Sequence, residues 1–312
     1  MPLRWCAHAL VTASLLLAPA PLAAATTAPV SAQSAIVPRP SKPSDVRFTL
    51  LKTSQVKTQE GFAFEGGNLF KSVTITHTAV LVEHPRGRFL FDTGLGQEID
   101  HQYRQDMPWW ARPLFSYGPV TPVRQAMEDA RLEPVDRIIL SHAHWDHASG
   151  LVDFPRAEVW ITQPEKDFIA HPHPGAVLPS QLNAPGVNWK VYAMEDRPFA
   201  SFTQSRDLFG DGSVVLVPLS GHTPGSVGLF VTVKSGRQYL FCGDVVWKLD
   251  AARRVKPKFW LPSRIVDHDR PATLHSIAHL HRLMTANPSL VVVPTHDADV
   301  HEAIGTFPRW VD

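Results

Sequence analysis

Ser141-His142-Ala143-His144-Trp145-Asp146-His147 follows directly on the apolar run 137–140, and this junction decides how the rest of the chain is read. Three imidazoles and a carboxylate packed into six residues at a strand's end suit a divalent cation. Neutral imidazole nitrogen and carboxylate oxygen are ligands for zinc and its neighbours. In extended backbone His142 and His144 project to the same side, and Asp146 and His147 follow as the chain turns, so one cluster can serve two ions. With 16 histidines in the chain, a His-rich polar surface loop is the competing reading of the spacing alone.

Three later residues sit at similar junctions. His222 stands in Gly221-His222-Thr223-Pro224-Gly225-Ser226, Asp244 in Cys242-Gly243-Asp244, and His296 in Pro294-Thr295-His296-Asp297. Each follows an apolar, β-branched run. Such runs predict strands at 46–51, 73–82, 89–91, 137–140, 159–161, 214–217, 227–233, 239–241 and 290–293. Helical spacing is clearest where Leu274, Ile277, Leu280 and Met284 recur after Asp269 and Pro271. Shorter helices are expected at 122–130, after Asp146, and at 164–170. Strands and helices are mixed and no repeat is evident, which fits layered sheets flanked by helices.

The 312 residues are 44% hydrophobic and 19% charged, enough for a substantial core and far from a disordered composition. Lys and Arg number 30 against 29 Asp and Glu. No basic excess is available to neutralise phosphates, so nucleic acid is not an expected partner. At the start, Arg4 precedes the apolar stretch 9–18, then Pro19, Pro21 and Ala23-Ala24-Ala25. That is the pattern of a cleavable secretory signal peptide over residues 1–25. It implies a periplasmic or secreted protein with no stable membrane span after cleavage. Residues 26–44, rich in Pro, Ser and Ala, read as a flexible leader, and 45–312 as the folded domain. Cys6 falls in the removed segment, leaving Cys242 without an intramolecular partner and excluding a disulfide framework.

Phe91-Asp92-Thr93-Gly94, His142 to His147, Gly221 to Ser226, Gly243-Asp244 and Pro294 to Asp297, taken in order, make the chain resemble the metallo-β-lactamase superfamily of metal-dependent hydrolases. The resemblance runs over residues 46–301. It implies an α+β fold, an αβ/βα sandwich of two facing β-sheets with helices on the outer faces and the site at one edge. By matching positions, it implies that His142, His144 and His222 hold one divalent ion, that Asp146, His147 and His296 hold another, and that Asp244 bridges them. Zinc is the expected metal. Asp92 matches a position that supports the site from outside the ligands, orienting an imidazole; its other reading is a turn former before Gly94.

Two ions about 3.5–4 Å apart would share a bridging water and make hydroxide available near neutral pH, with Asp146 passing a proton to the leaving group. No G-x-S-x-G elbow is present, and Cys242 reads as core. Asp244 argues against a true β-lactamase, since those members lack a bridging carboxylate there. His-x-His-x-Asp-His argues against the flavodiiron branch. Thr76-His77-Thr78, Phe91 to Gly94, and the late helix leading into Pro294 to Asp297 look most like the N-acyl homoserine lactone lactonases and their organophosphate-cleaving relatives. The expected activity is therefore lactone or ester hydrolysis on a small molecule. The alternatives are a phosphotriesterase-like enzyme or a thioesterase of the glyoxalase II kind, then a β-lactamase or a non-catalytic metal-binding module.

One departure stands out. A tyrosine three residues after the bridging aspartate helps hold the substrate carbonyl in those lactonases, and this chain has Trp247, which offers one N–H and no hydroxyl. The segment 95–120 carries Tyr103, Met107, Trp109, Trp110, Phe115 and Tyr117. These rings either wall an apolar pocket, pack the insertion onto the domain, or form a homodimer contact. Phe62, Phe64, Phe70 and Trp260 carry the same choice. Among the remaining histidines, His268, set between acidic residues, is the candidate for touching substrate; His171, His173, His275 and His279 read as ordinary surface or helix positions.

Overall fold

Several strand segments are apolar at every position rather than at alternate ones, and that pattern demands cover on both faces. The computed structural model describes residues 35–40 and 44–312. One sheet contains β1 (Arg47–Gln59), β2 (Ser72–His84), β3 (Gly87–Phe91), β4 (Arg137–Ile139), β5 (Glu158–Thr162) and β6 (Asn188–Tyr192), in that order. β1, β2 and β3 are antiparallel neighbours, whereas β3 to β6 run parallel. The other sheet contains β7 (Arg206–Asp207), β8 (Val214–Pro218), β9 (Val227–Thr232), β10 (Gln238–Phe241) and β11 (Val291–Val293), in the order β11-β10-β9-β8-β7. Only β10 and β11 are parallel there.

Side-chain alternation sorts each strand between two cores. On β2, Val80 and Val82 point between the sheets, while Ala79 and Leu81 point to the helices outside. On β8, Val214 and Leu216 face inward; Val215 and Val217 meet Ile277, Leu280 and Leu283 of the helix Arg270–Ala286. Phe48 reaches across the middle layer, its ring edge-on to Tyr239 at 4.7 Å and to Phe241 at 5.0 Å. Truncating it to alanine is expected to cost about 3–5 kcal/mol. The result is the αβ/βα sandwich anticipated from the sequence.

Helix Arg270–Ala286 starts as its sequence predicts, with Asp269 accepting from Ala272 N and proline in the first turn. Several elements were not legible. β1 runs on to Gln59 because residues 54–59 pair with 72–77, although Lys52, Gln55 and Lys57 break its apolar pattern. β6 is a largely exposed edge strand. The helices Ile99–Asp106, Leu249–Arg254 and Trp260–Val266 are too short for a clear period.

The leader expectation needs correction in part. Val37 is buried, its N–H bonds to Asn287 Oδ1 at 2.9 Å, and Asn287 Nδ2 bonds to Ala35 O at 2.7 Å. Residues 35–37 are thus pinned to the end of the long helix. The expected signal peptide, residues 1–25, lies outside the described residues, as does Cys6. No helix among the described residues is long and apolar enough to cross a membrane.

Candidate metal centre

β3 and β4 are parallel, so both finish at the same edge of their sheet; β8, β10 and β11 likewise share a direction in theirs. The segments after β3, β4, β8, β10 and β11 converge there. After β4 the backbone stays extended through His144 (φ −73°, ψ 161°) and then enters the short helix Trp145–Ala148. His142 and His144 therefore leave an extended segment, and Asp146 and His147 leave a helical turn. Two glycines make the approach possible. A Cβ on Gly221 (φ +131°) would lie 2.3 Å from Thr273 N at the start of the long helix. Gly243, at φ +52°, turns the chain after β10 so that Asp244 faces the histidines.

All seven residues matched to metal positions are buried and meet. His142 Nε2 faces His222 Nε2 at 3.1 Å, and the His144 ring lies 4.6 and 4.5 Å from those two rings. Asp244 sits between two groups of donors. Its Oδ1 is 3.2 Å from His147 Nε2, and its Oδ2 is 2.9 Å from His296 Nε2 and 3.7 Å from His222 Nε2. Asp146 Oδ2 lies 3.3 Å from His296 Nε2 and 3.9 Å from His147 Nε2. Among the described residues, three triads have donor atoms within 4.8 Å of one another: His142, His144 and His222; His142, His147 and Asp244; and His77, Asp146 and His296.

The electrostatics suit a cation. Burial, then the neighbouring imidazoles, hold His142 and His144 well below the ordinary histidine pKa, and burial with Lys258 brings His222 down to about 4. Burial opposes charging His147, but Asp244, Asp92 and Asp146 outweigh it and raise its pKa. Among the seven matched residues, three buried atoms lack a hydrogen-bond partner: His144 Nε2, His147 Nε2 and Asp244 Oδ1. The last two face each other without hydrogen-bond alignment. Each such orphan costs about 1–3 kcal/mol. A divalent ion among imidazole nitrogens and carboxylate oxygens relieves that cost, so the residues present fit one.

The far sides of the rings are held by specific partners. Asp92, at φ +61°, accepts from Ser141 N at 2.6 Å and Ser141 Oγ at 2.7 Å and pairs with His147 Nδ1 at 2.8 Å. It is both the turn and the orienter. Asp267 Oδ1 lies 2.8 Å from His222 Nδ1 and accepts from the buried Lys258 Nζ at 2.8 Å. Burial alone would raise the pKa of Asp267; Lys258 and the His222 bond outweigh it and hold the carboxyl low. Thr76 O accepts from His296 Nδ1 at 2.6 Å.

Sequence reading missed Glu165, on the helix Gln163–Ile169. Its fully buried carboxylate accepts from Ala143 N at 2.8 Å, Thr223 Oγ1 at 2.6 Å and Gly225 N at 3.0 Å. One side chain thus ties the His142–His144 segment to the His222 loop. Burial pushes its pKa up to about 7. The only local signal was a Thr162-x-x-Glu165 spacing, which reads as an ordinary helix start.

A cleft of about 220 Å³ opens on the cluster, walled by Ile75, Leu114, Phe115, Trp145, Trp247 and Val266 and floored by His144, Asp146, Asp244 and His296. Trp247 Nε1 donates to Asp244 Oδ2 at 2.9 Å, so its N–H holds the central carboxylate. The aromatic insertion divides. Residues 113–116 and Phe62 line the cleft, while Tyr103 and Tyr117 pack against Trp145, with centroids at 5.8 and 6.1 Å. Phe64 is core, and Trp109 and Phe70 are exposed. His268 does not reach the cleft. It is exposed, and its backbone N–H bonds to His222 O at 2.9 Å, which turns the side chain outward beside Phe168. Cys242 is buried, and burial raises its thiol pKa, as befits a core residue.

The family model for the metallo-beta-lactamase superfamily matches residues 74–296, which includes every one of these donors. The chain belongs to the metallo-beta-lactamase superfamily. Like that superfamily's hydrolases, it is a metal-dependent hydrolase. A Mycobacterium tuberculosis member named "Probable metallo-hydrolase Rv2300c" is 28% identical over 251 residues, 75% of this chain and 78% of that one. The N-acyl homoserine lactonase AttM of Rhizobium radiobacter is 24% identical over 279 residues, 86% and 99% of the two chains. Among solved metallo-beta-lactamase folds, an N-acyl homoserine lactone hydrolase with N-hexanoyl-L-homoserine at its catalytic metal centre superposes with a TM-score of 0.65. It is 17% identical and covers 85% of this chain and 98% of its own.

Proposed function

We propose that the protein hydrolyses lactones or related carboxylic esters bearing an apolar acyl or aryl group, using two divalent ions, zinc by preference. His142, His144 and His222 hold one ion, Asp146, His147 and His296 the other, and Asp244 serves both. The observation that carries this reading is the apolar cleft whose floor is the donor cluster itself. When bound, such ions supply a water acidified toward neutral pH and an electrophile for the ester carbonyl. The protein's own groups do the rest. Leu114, Phe115, Trp145 and Val266 desolvate the acyl part and exclude bulk water, and Trp247 keeps the Asp244 carboxylate in place. Asp146 lines the cleft beside His296, where its carboxylate can take up the proton given up by the attacking water and pass it to the departing oxygen. The lactonase named above supports the substrate class. The N-terminal pattern of residues 1–25 supports export to the periplasm or beyond.

The test is a panel of N-hexanoyl homoserine lactone, an aryl ester, an organophosphate triester, a glutathione thioester and a β-lactam. It is run beside elemental analysis of protein purified without added metal. Turnover of lactone or ester with two equivalents of metal, lost on chelation and restored by zinc, is the expected result. Asp244→Asn is expected to remain folded and lose turnover. A preference for the triester or thioester overturns the substrate class, and unchanged rates in protein shown to be metal-free overturn the mechanism.

A further inference from the structure

His77 lies on β2; it forms a close triad with Asp146 and His296 but is not among the seven residues matched to metal positions. It is 3% exposed and lines the cleft. Among the polar side chains there, Lys57 and Ser116 are exposed, Thr58 is half-buried, and the single N–H of Trp247 is committed to Asp244. Apart from the indole N–H of Trp145, His77 is thus the buried polar group of the cleft outside the seven donors. Its Nδ1 is buried without a partner, and its Nε2 stands 3.9 Å from Asp146 Oδ2, beyond hydrogen-bond length. The residue is anchored by Thr53 Oγ1, which donates to its carbonyl at 2.9 Å, and its ring is held 5.6 Å from Trp145 and 5.7 Å from His296. A buried imidazole with neither nitrogen hydrogen-bonded calls for an explanation.

We propose that His77 binds substrate directly, its Nε2–H donating a hydrogen bond to an oxygen of the ester or lactone seated in the cleft. The inference rests on the hydrolase reading above. The proton belongs on Nε2, because Nδ1 meets no acceptor while Nε2 faces the Asp146 carboxylate. An ester oxygen placed beside Asp146 and His296 gives that N–H the partner it lacks. Recruiting His77 as an additional metal ligand instead would crowd a centre already offered Asp146, His147, His296 and Asp244, and would close the open position that catalysis needs.

The test compares metal-loaded wild type, His77→Leu and His77→Gln for metal content and for kcat/KM on N-hexanoyl homoserine lactone and 4-nitrophenyl butyrate. His77→Leu is expected to keep both ions and lose about 10²-fold in kcat/KM, while His77→Gln, which retains a donor, stays within about tenfold of wild type. A His77→Leu protein with wild-type kcat/KM overturns the proposal, and so does one that has lost an ion, which would make His77 a ligand. Should wild type turn over neither compound, the lactone-and-ester reading fails on its own. Calorimetric binding of hexanamide then decides for His77: weaker binding to His77→Leu supports the contact, and equal binding overturns it.

Discussion

Replacing Glu165 by glutamine keeps the shape of the side chain and removes one of its two acceptor oxygens. At pH 8, above its pKa of about 7, the carboxylate serves Ala143 N through Oε1, and Thr223 Oγ1 and Gly225 N through Oε2. Glutamine can satisfy only one side. Whichever way it flips, an NH2 group abuts a backbone N–H, leaving two buried donors unpaired. At about 1–3 kcal/mol each, the expected loss is about 3 kcal/mol. For a domain of this size that lowers Tm by about 6–12 °C. The same conflict pushes apart the two loops that carry His142, His144 and His222, so zinc affinity is expected to fall by about 10–100-fold. Scanning calorimetry on the metal-free protein and competition with a chelating dye on the loaded one read the two effects separately. A Tm within about 1 °C of wild type together with unchanged zinc affinity refutes the reasoning.

Two further outcomes follow from buried groups. Burial holds the pKa of His301 near 4 against its bond to Pro294 O and the nearby charge of Asp297. Its ordinary value is about 6.5, so between pH 6.5 and 4 the unfolded chain binds more protons, and stability, full above 6.5, declines by up to about 3 kcal/mol as pH falls to 4. Urea midpoints of metal-free wild type and His301→Gln across that range are expected to show a shallower decline in the variant; parallel curves count against the assignment. Lys258→Met strands the buried Asp267 carboxylate, at an expected cost of about 3–5 kcal/mol that Lys258→Met with Asp267→Asn largely recovers. Denaturant midpoints for the two proteins check this, and a single variant as stable as wild type would contradict it.

What the sequence determined by itself was the set of parts. Runs such as 214–217 and 239–241 are apolar at every position and read as strands covered on both faces, which fits layered sheets flanked by helices, while the sandwich itself was what the family resemblance implied. Ligand-type residues after four apolar runs, in a characteristic order, disclosed the metal chemistry, because a metal demands particular donor atoms and those are written residue by residue. The edge strand β6 and the short helices escaped, since their side chains are half-exposed and carry no period.

Only the tertiary structure decided which groups outside the ligands matter. Glu165 looks like any helix-start glutamate until Ala143, Thr223 and Gly225 are brought against it. Asp267 and Lys258 look like surface charges until they are buried behind His222, and His268, with its acidic neighbours, looks like a substrate residue until its side chain is found facing outward. His77 looks like one more histidine on a strand until the cleft wall closes around it. Each of these roles depends on burial and on hydrogen-bond partners supplied by distant parts of the chain, and neither is a property of the residue's own neighbours in sequence.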